Sequence, residues 1–435
     1  MPDSSLAHFN WWHRQSNDPK WRYYFEIFVI MTVSLFFIMQ LAAGVIRWVL
    51  DMVGGAVLTY VPNIFMLLVI FFVFFTEIYY ARLRQIALVF IVWVILCLIV
   101  GIFSTGSPIQ AVFGLWVLLP FMFGLSAGSI IMKYHPLRPI FFVILFAIAA
   151  GGVVIHDLLP LPWVGVSYQI GGVELEGARE WHASGGKQRL SGFARSSFDV
   201  AGQILIAAGL LSLYVKKTWL RFCLWGLCAC SIYLTTSKGI LLTLLMAWVA
   251  SEALIGKKMF VLQSVFVLGI LWLIVPPVMG WTMDWSQAAR VDIDHPLYGS
   301  FIDRMNDMWP RAWELATTHG VPFLGRGLGG IGVPLSVFEP NLANAGDNLW
   351  VYVAVLGGIL SVPIFIAGYI QIFKFSTLPM TLELQEILIL AVIVNWYGGV
   401  SNILEHAVLA LVFGILCRYL ATPDWIENRS IEASF

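Results

Sequence analysis

The sequence predicts an all-α polytopic membrane protein of about twelve transmembrane helices, both termini cytoplasmic, with two long outer loops and a short amphipathic helix in the second. Three observations predict it. Hydrophobic residues make up 60% of the 435 and charged residues only 11%, and mean hydropathy is +0.85, far from soluble globular composition. Apolar stretches of the roughly 20 residues that a helix needs to cross the hydrocarbon core recur along the whole chain. Basic residues occupy every second connection, the charge bias that fixes which side stays in the cytoplasm. Formal net charge is zero, so no global basic field points to nucleic acid.

The first segment, 1–156, opens with MPDSSLAHFNWWHRQSNDPKWRYYFE. It has Arg14, Lys20 and Arg22 but no short apolar core before a small-residue cleavage site, so it is expected to stay as a cytoplasmic arm. Trp11, Trp12, Trp21, Tyr23 and Tyr24 suit the headgroup layer, where a ring with an apolar body and a polar tip is at home. Five apolar windows follow, at roughly 25–46, 57–76, 86–103, 109–130 and 139–156. A long connection, 157–196, leads to a second block, 197–279, with windows at 197–215, 218–236, 238–255 and 259–279. A longer one, 280–347, precedes the last block, 348–435, with windows at 348–371, 383–400 and 402–420.

Arg82 and Arg84, then Lys133 and Arg138, then Lys216, Lys217 and Arg221, then Lys257 and Lys258, then Lys374, then Arg418 and Arg429 mark alternate connections. The intervening short ones hold only Arg47 and Lys238. Both long connections therefore fall on the outer side, where function is to be sought. Cys97, Cys223, Cys228, Cys230 and Cys417 lie in apolar windows or beside a short basic loop. That is not a disulfide framework, and Cys228-x-Cys230 lacks a second ligand pair for zinc.

The first outer loop alternates β-prone and small residues around Gly171-Gly172, which predicts a short hairpin. Arg179, Lys187, Arg189 and Arg195 follow. They are either solvated polar residues or an anion site, where guanidinium groups grip phosphate oxygens in pairs. In the second loop a helix is expected over about 301–319, capped by Ser300 and Asp303, kinked at Pro310 and stopped at Gly320. Phe301, Met305, Met308, Ala312 and Leu315 give it an apolar face, and Arg304, Asp307, Arg311 and Glu314 a charged one.

GRGLGGIG then holds G-x-G-x-x-G at Gly327, Gly329 and Gly332. No strand precedes it, so it reads as a turn that lets backbone approach a ligand or a packed helix, not as a dinucleotide site. Asp292-x-Asp294 has no supporting ligands for a metal, and the histidines show no metal spacing. His156-Asp157 and Glu405-His406 sit near outer ends of windows, and Glu405 in lipid needs a cavity, a partner or the interface. Asp347, directly before the tenth window, reads either as its N-cap or as chemistry.

Four stretches carry a resemblance to a known family: RLSGFARSSFDVAG at 189–202, TTSKG at 235–239, DRMNDMWPRAW with PFLGRGLGG across 303–330, and DNLWVYVAVLGGI at 347–359. Together they resemble the bacterial O-antigen polymerases and O-antigen ligases, the Wzy-type and WaaL-type membrane glycosyltransferases. Ligases of this superfamily typically carry His-Asn where this chain has Asp347-Asn348, so the likeness is greater to the polymerase branch. The resemblance implies a GT-C-like fold in the bacterial inner membrane and two periplasmic loops. It implies a metal-independent glycosyltransferase without cofactor, moving a glycan from undecaprenyl diphosphate to another lipid-linked repeat unit of an O-antigen, capsule or exopolysaccharide.

Matched to those motifs, Arg189, Arg304 and Asp347 are the expected catalytic residues. Arg195, Lys238, Arg311, Arg326 and Asn348 are the expected binders of the diphosphate-linked substrate. Expected partners are the lipid-linked oligosaccharide, membrane lipid, a chain-length regulator and a flippase, with no nucleic acid. A ligase attaching polymer to lipid A core is the near alternative. A transporter of lipid-linked sugar or another amphiphile is the alternative of another class. Transport would distribute functional polar residues through the spans, whereas here they concentrate in two loops.

Overall fold

The computed structural model describes residues 19–79, 85–133, 138–170, 173–182, 186–292, 295 and 299–421. The arm with Trp11 and Trp12, the C-terminal tail with Arg429, the Arg82/Arg84 connection and Asp294 lie outside the described residues.

The chain is mostly helical, in keeping with an all-α polytopic membrane protein. Among the described residues, seven helices are long and apolar enough to cross a membrane, eight if one bent pair counts as a span. The first block comprises α1 (Pro19–Leu41), α2 (Ala43–Met52), α3 (Val61–Tyr79), α4 (Gln85–Thr105), α5 (Pro108–Val117), α6 (Leu119–Lys133) and α7 (Arg138–Leu158). The helices α5 and α6 bend by 43° at Leu118 where a single span was expected. Trp21, Tyr23 and Tyr24 are exposed along the first turns of α1.

Next come the strands β1 (Ser167–Ile170), β2 (Val173–Glu176), β3 (Trp181–His182) and β4 (Gln188–Arg189). The expected hairpin is present, with β1 antiparallel to β2 and Ile170 opposite Val173. The second block holds α8 (Ser197–Tyr214), α9 (Thr218–Leu234), α10 (Lys238–Ile255) and α11 (Met259–Thr282). The second long connection folds into α12 (Ser286–Asp292), α13 (Gly299–Asp303), a π turn at Arg304–Met308, α14 (Trp309–Thr317) and α15 (Val333–Phe338). The last block is α16 (Leu349–Gly357), α17 (Ser361–Phe375), α18 (Leu382–Gly398) and α19 (Ala407–Leu420).

Helix thus occupies every apolar window, but α9 and α18 have 17 residues and α19 only 14. The centre of the bundle is α8 packed on α18, both buried along nearly their whole length. Glycine sets how close some helices come. Gly124 and Gly128, four apart on α6, face α19 at Gly414 and at Ile415, so tightly that a Cβ at Gly124 would collide with the Leu411 carbonyl. Small residues at this spacing let helix backbones approach without a hydrophobic driving force.

The expected second-loop helix exists with a different build. It starts at Gly299, so Ser300 lies inside it, and it reaches Thr317. No capping bond is made by the Asp303 side chain. Pro310 has no N–H to complete the preceding turn, and a π turn, Arg304–Met308, stands directly before the helix that carries it. The wider turn puts Trp309, not Met308, on the buried face with Met305, Ala312 and Leu315. This face covers α11, where a Cβ at Gly280 would come within 3.0 Å of the Met305 carbonyl.

The G-x-G-x-x-G turn serves packing. Gly327, Gly329 and Gly332 have φ of +76°, +85° and +79°, the left-handed region that glycine occupies without penalty. A Cβ at Gly327 would overlap the Gly101 backbone of α4, and one at Gly329 would lie 2.6 Å from the Gln110 carbonyl of α5.

Candidate functional site: a cationic cluster between the two long connections

The cluster begins at β4. Pairing of Arg189 with Trp181 across the two short strands fixes its backbone, and its guanidinium carbon sits 5.2 Å from the centre of the Phe198 ring in the first turn of α8. That helix starts where Ser196 Oγ accepts the Asp199 N–H at 3.1 Å. From the opposite side comes Arg304, in the π turn. Its Nη2 donates to Asp347 Oδ2 at 2.8 Å and its Nη1 to the Ser300 carbonyl at 3.1 Å. Lys238 opens α10 after the TTSKG turn, in which Thr236 holds a φ of +57°, a strained value for a β-branched residue.

These cations press on one another. Burial, and then the charge of Arg304, pull the Arg189 guanidinium below its ordinary range, with Asp347 opposing. Arg179 is lowered likewise by burial and then by Arg195. Arg189 also acts electrostatically on Lys238. Among the described residues Arg189, Arg195 and Lys238 form no ion pair. The Nε atoms of Arg189, Arg195 and Arg304 are buried without a hydrogen-bond partner. Positive charge gathered this way with unused donors is an environment for an anion rich in oxygen.

Of the expected site residues, Arg189, Arg304, Asp347 and Lys238 come together, and Arg195 lies on the adjoining loop within electrostatic reach of Asp199. Arg326 does not join them. It is 2% exposed, its Nη2 donating to Glu339 Oε2 at 2.7 Å, because the glycine turn that carries it is pressed against α4 and α5. Asn348 is excluded as a ligand because it is fully buried with its amide committed. Its Oδ1 accepts the Val351 N–H at 3.1 Å, and its Nδ2 donates to the Leu273 carbonyl at 2.9 Å and the Gly399 carbonyl at 3.3 Å. Asn348, not Asp347, is therefore the cap of α16, which leaves Asp347 to hold Arg304. Arg311 pairs with Asp307 at 3.2 Å on an exposed face, the solvated arrangement usual for an i,i+4 pair.

Asp303, beside Arg304, is pushed up by burial and by Asp307. Glu405, in the turn between α18 and α19, accepts from the Val333 N–H at 2.8 Å and the Tyr352 hydroxyl at 3.1 Å. Burial lifts its pKa to about 7, with those two hydrogen bonds opposing. It has the partner expected of a carboxyl in such a place. Its neighbour His406, given no role by the sequence, bridges Asp199 and Ser401.

Two hollows are lined by elements of the two long connections and their neighbouring helices. A cavity of about 460 Å³ beside β4 is lined by His156, Asp157, Leu161, Glu180 and Gln188 among others. An apolar groove between α11, α14 and α16 is lined by Trp281, Trp309, Trp313 and Trp350, the first and third with ring centres 4.4 Å apart.

Comparison with family models, with curated proteins and with solved structures finds no match.

Proposed function

We propose that this chain is a polysaccharide polymerase of the inner membrane. It transfers a glycan from undecaprenyl diphosphate to another lipid-linked repeat unit at the periplasmic face. In this reading the apolar windows are spans of a twelve-helix plan with cytoplasmic termini, and both long connections are periplasmic. The observation that carries it is the gathering of Arg189 and Lys238, which form no ion pair among the described residues, with the Arg304–Asp347 pair, and of Arg195 on the adjoining loop near Asp199. As the bond between the anomeric carbon and the diphosphate breaks, negative charge grows on the leaving group. Fixed cations in a water-poor site stabilise that growing charge more than the ground state. The cavity beside β4 offers carboxylates and an amide, the groups that bind sugar hydroxyls.

The energy of transfer comes from the donor's own diphosphate linkage. Arg189 and Arg304 are assigned to the leaving diphosphate, Lys238 and Arg195 to its approach, and Asp347 to fixing Arg304. The test is polymer formation in Arg189→Ala and Arg304→Ala. Each is expected to lose polymer while protein level and lipid-linked monomer persist; unaltered chain growth in both removes the assignment.

A further inference from the structure

The cavity beside β4 is built from the C-terminal end of α7, the loop that follows it and one face of the β3–β4 pair. Trp181 and Arg189 stand opposite each other in that pair, and both turn to Phe198, the Trp181 and Phe198 ring centres being 6.1 Å apart. Side chains alternate along a strand, so Gln188, and Glu180 just before β3, fall on the other face, where they line the cavity with His156 and Asp157. The two faces of this short sheet thus carry the cationic cluster and a hollow of about 460 Å³, within the roughly 300–1,000 Å³ of small-ligand sites. Its walls are fixed. Gly192, just past β4, donates its N–H to His156 Nδ1 at 3.2 Å, and its carbonyl accepts from Trp163 Nε1–H at 3.2 Å. A Cβ at Gly192 would lie 2.8 Å from the Gly152 carbonyl carbon of α7. Gly165 leaves room for the Glu180 carboxylate, since a Cβ there would stand 2.8 Å from its Oε2.

The polar groups on the hollow are unused. Among the described residues the side chains of Asp157, Glu180 and Gln188 make no hydrogen bond or ion pair. His156 is 7% exposed. With its Nδ1 lone pair given to the Gly192 N–H, the neutral ring carries its proton on Nε2, which has no partner and is a donor, not a metal ligand. The hollow therefore offers two carboxylates that accept, an imidazole that donates and an amide that does both. A cation would leave the donors idle, and an anion the acceptors. Hydroxyls use both, and Leu161 and Val164 add an apolar wall for the C–H face of a sugar ring. From this geometry we infer that the cavity is the glycan subsite and takes uncharged sugar residues remote from the diphosphate, an inference that rests on the glycan-transfer reading. Asp157 and Glu180 repel a diphosphate or an acidic sugar, whereas Arg189, on the opposite face of the sheet, attracts the diphosphate. Charge of opposite sign on the two faces thus sets which end of the lipid-linked glycan goes where.

The probe is the repeat-unit oligosaccharide freed by mild acid from the lipid diphosphate of a strain lacking this gene. Its binding to the purified full chain in detergent is measured by calorimetry, beside turnover of the intact lipid-linked glycan. Glu180→Ala and Gln188→Ala, at positions that are not buried, should weaken oligosaccharide binding about 10- to 100-fold and about 2- to 10-fold, the loss of a charged and of a neutral hydrogen bond. KM for the lipid-linked glycan should rise in step, with kcat the smaller change. Glu180→Gln, which keeps an acceptor, should retain part of the affinity. Unchanged affinity in both alanine variants, no binding to the natural chain, or displacement of the oligosaccharide by ethanolamine or Mn²⁺ overturns the subsite. If the natural chain still polymerises lipid-linked glycan, only the subsite has failed. If it binds the oligosaccharide through Glu180 and Gln188 but polymerises nothing, the transfer reading has failed and the sugar site stands without it.

Discussion

Separating Arg304 from Asp347 tests whether the carboxylate acts on substrate or on the arginine. Their side chains are 15% and 25% exposed and their charged atoms 2.8 Å apart. Exposed pairs contribute roughly 0.2–1 kcal/mol, whereas removing one partner of a buried pair costs about 3–5 kcal/mol. A half-buried pair falls between, at about 1–3 kcal/mol, or roughly 5- to 150-fold in rate if the whole coupling is felt in the transition state. The assay is a double-mutant cycle on initial rates of lipid-linked glycan consumption with Asp347→Asn, Asp347→Ala, Arg304→Ala and the double variant. Asp347→Asn keeps an acceptor for Arg304 and should be the mildest; the double variant should match Arg304→Ala. A double variant slower than Arg304→Ala by the full Asp347→Ala factor would mean that Asp347 contributes independently of Arg304, and the positioning role would be refuted.

Two further outcomes follow from the same structure. In the folded chain Glu405 keeps its proton to about pH 7 against an ordinary 4.5, so its ionisation disfavours folding increasingly as pH rises through that window and fully above it. Glu405→Gln should therefore raise thermal stability at pH 8 by about 1–3 kcal/mol and leave it unchanged at pH 4, a pattern absent if the carboxyl is solvated. Gly327→Ala and Gly186→Ala share a positive φ, +76° and +77°, but only the first would place a Cβ on neighbouring backbone. Thermal unfolding in detergent should show a cost of about 1–2 kcal/mol for Gly186→Ala and a far larger one, with loss of folded protein, for Gly327→Ala; equal costs would contradict the packing role of the turn.

What the sequence made legible was set by local rules. Hydropathy placed helices in every window, alternation placed the β1–β2 hairpin, and the glycine run placed a close-packed turn. Arg189, Arg304, Asp347 and Lys238, singled out by their motifs, lie near one another in the structure. The failures lie where a neighbour decides. Asp and Asn cap equally well, and which of two adjacent residues caps α16 depended on Arg304 claiming Asp347. Arg326 looked available because nothing local announces Glu339 in the shell formed with Gln110. Asp199 and His406 stand 207 residues apart, and no spacing rule reaches that far. The bend between α5 and α6 had a weak signal in Pro120, and the α6–α19 contact a better one in the Gly124/Gly128 spacing.

The most direct measurement of the central claim is the glycan pool of a strain from which this gene is deleted. Lipid-linked material is extracted from separated inner and outer leaflets and sized. Single lipid-linked repeat units accumulating on the periplasmic leaflet, with no longer chains, are the result the account predicts. Long polymer left unattached to lipid A core would instead identify a ligase, and repeat units retained on the cytoplasmic leaflet a flippase; either would contradict it.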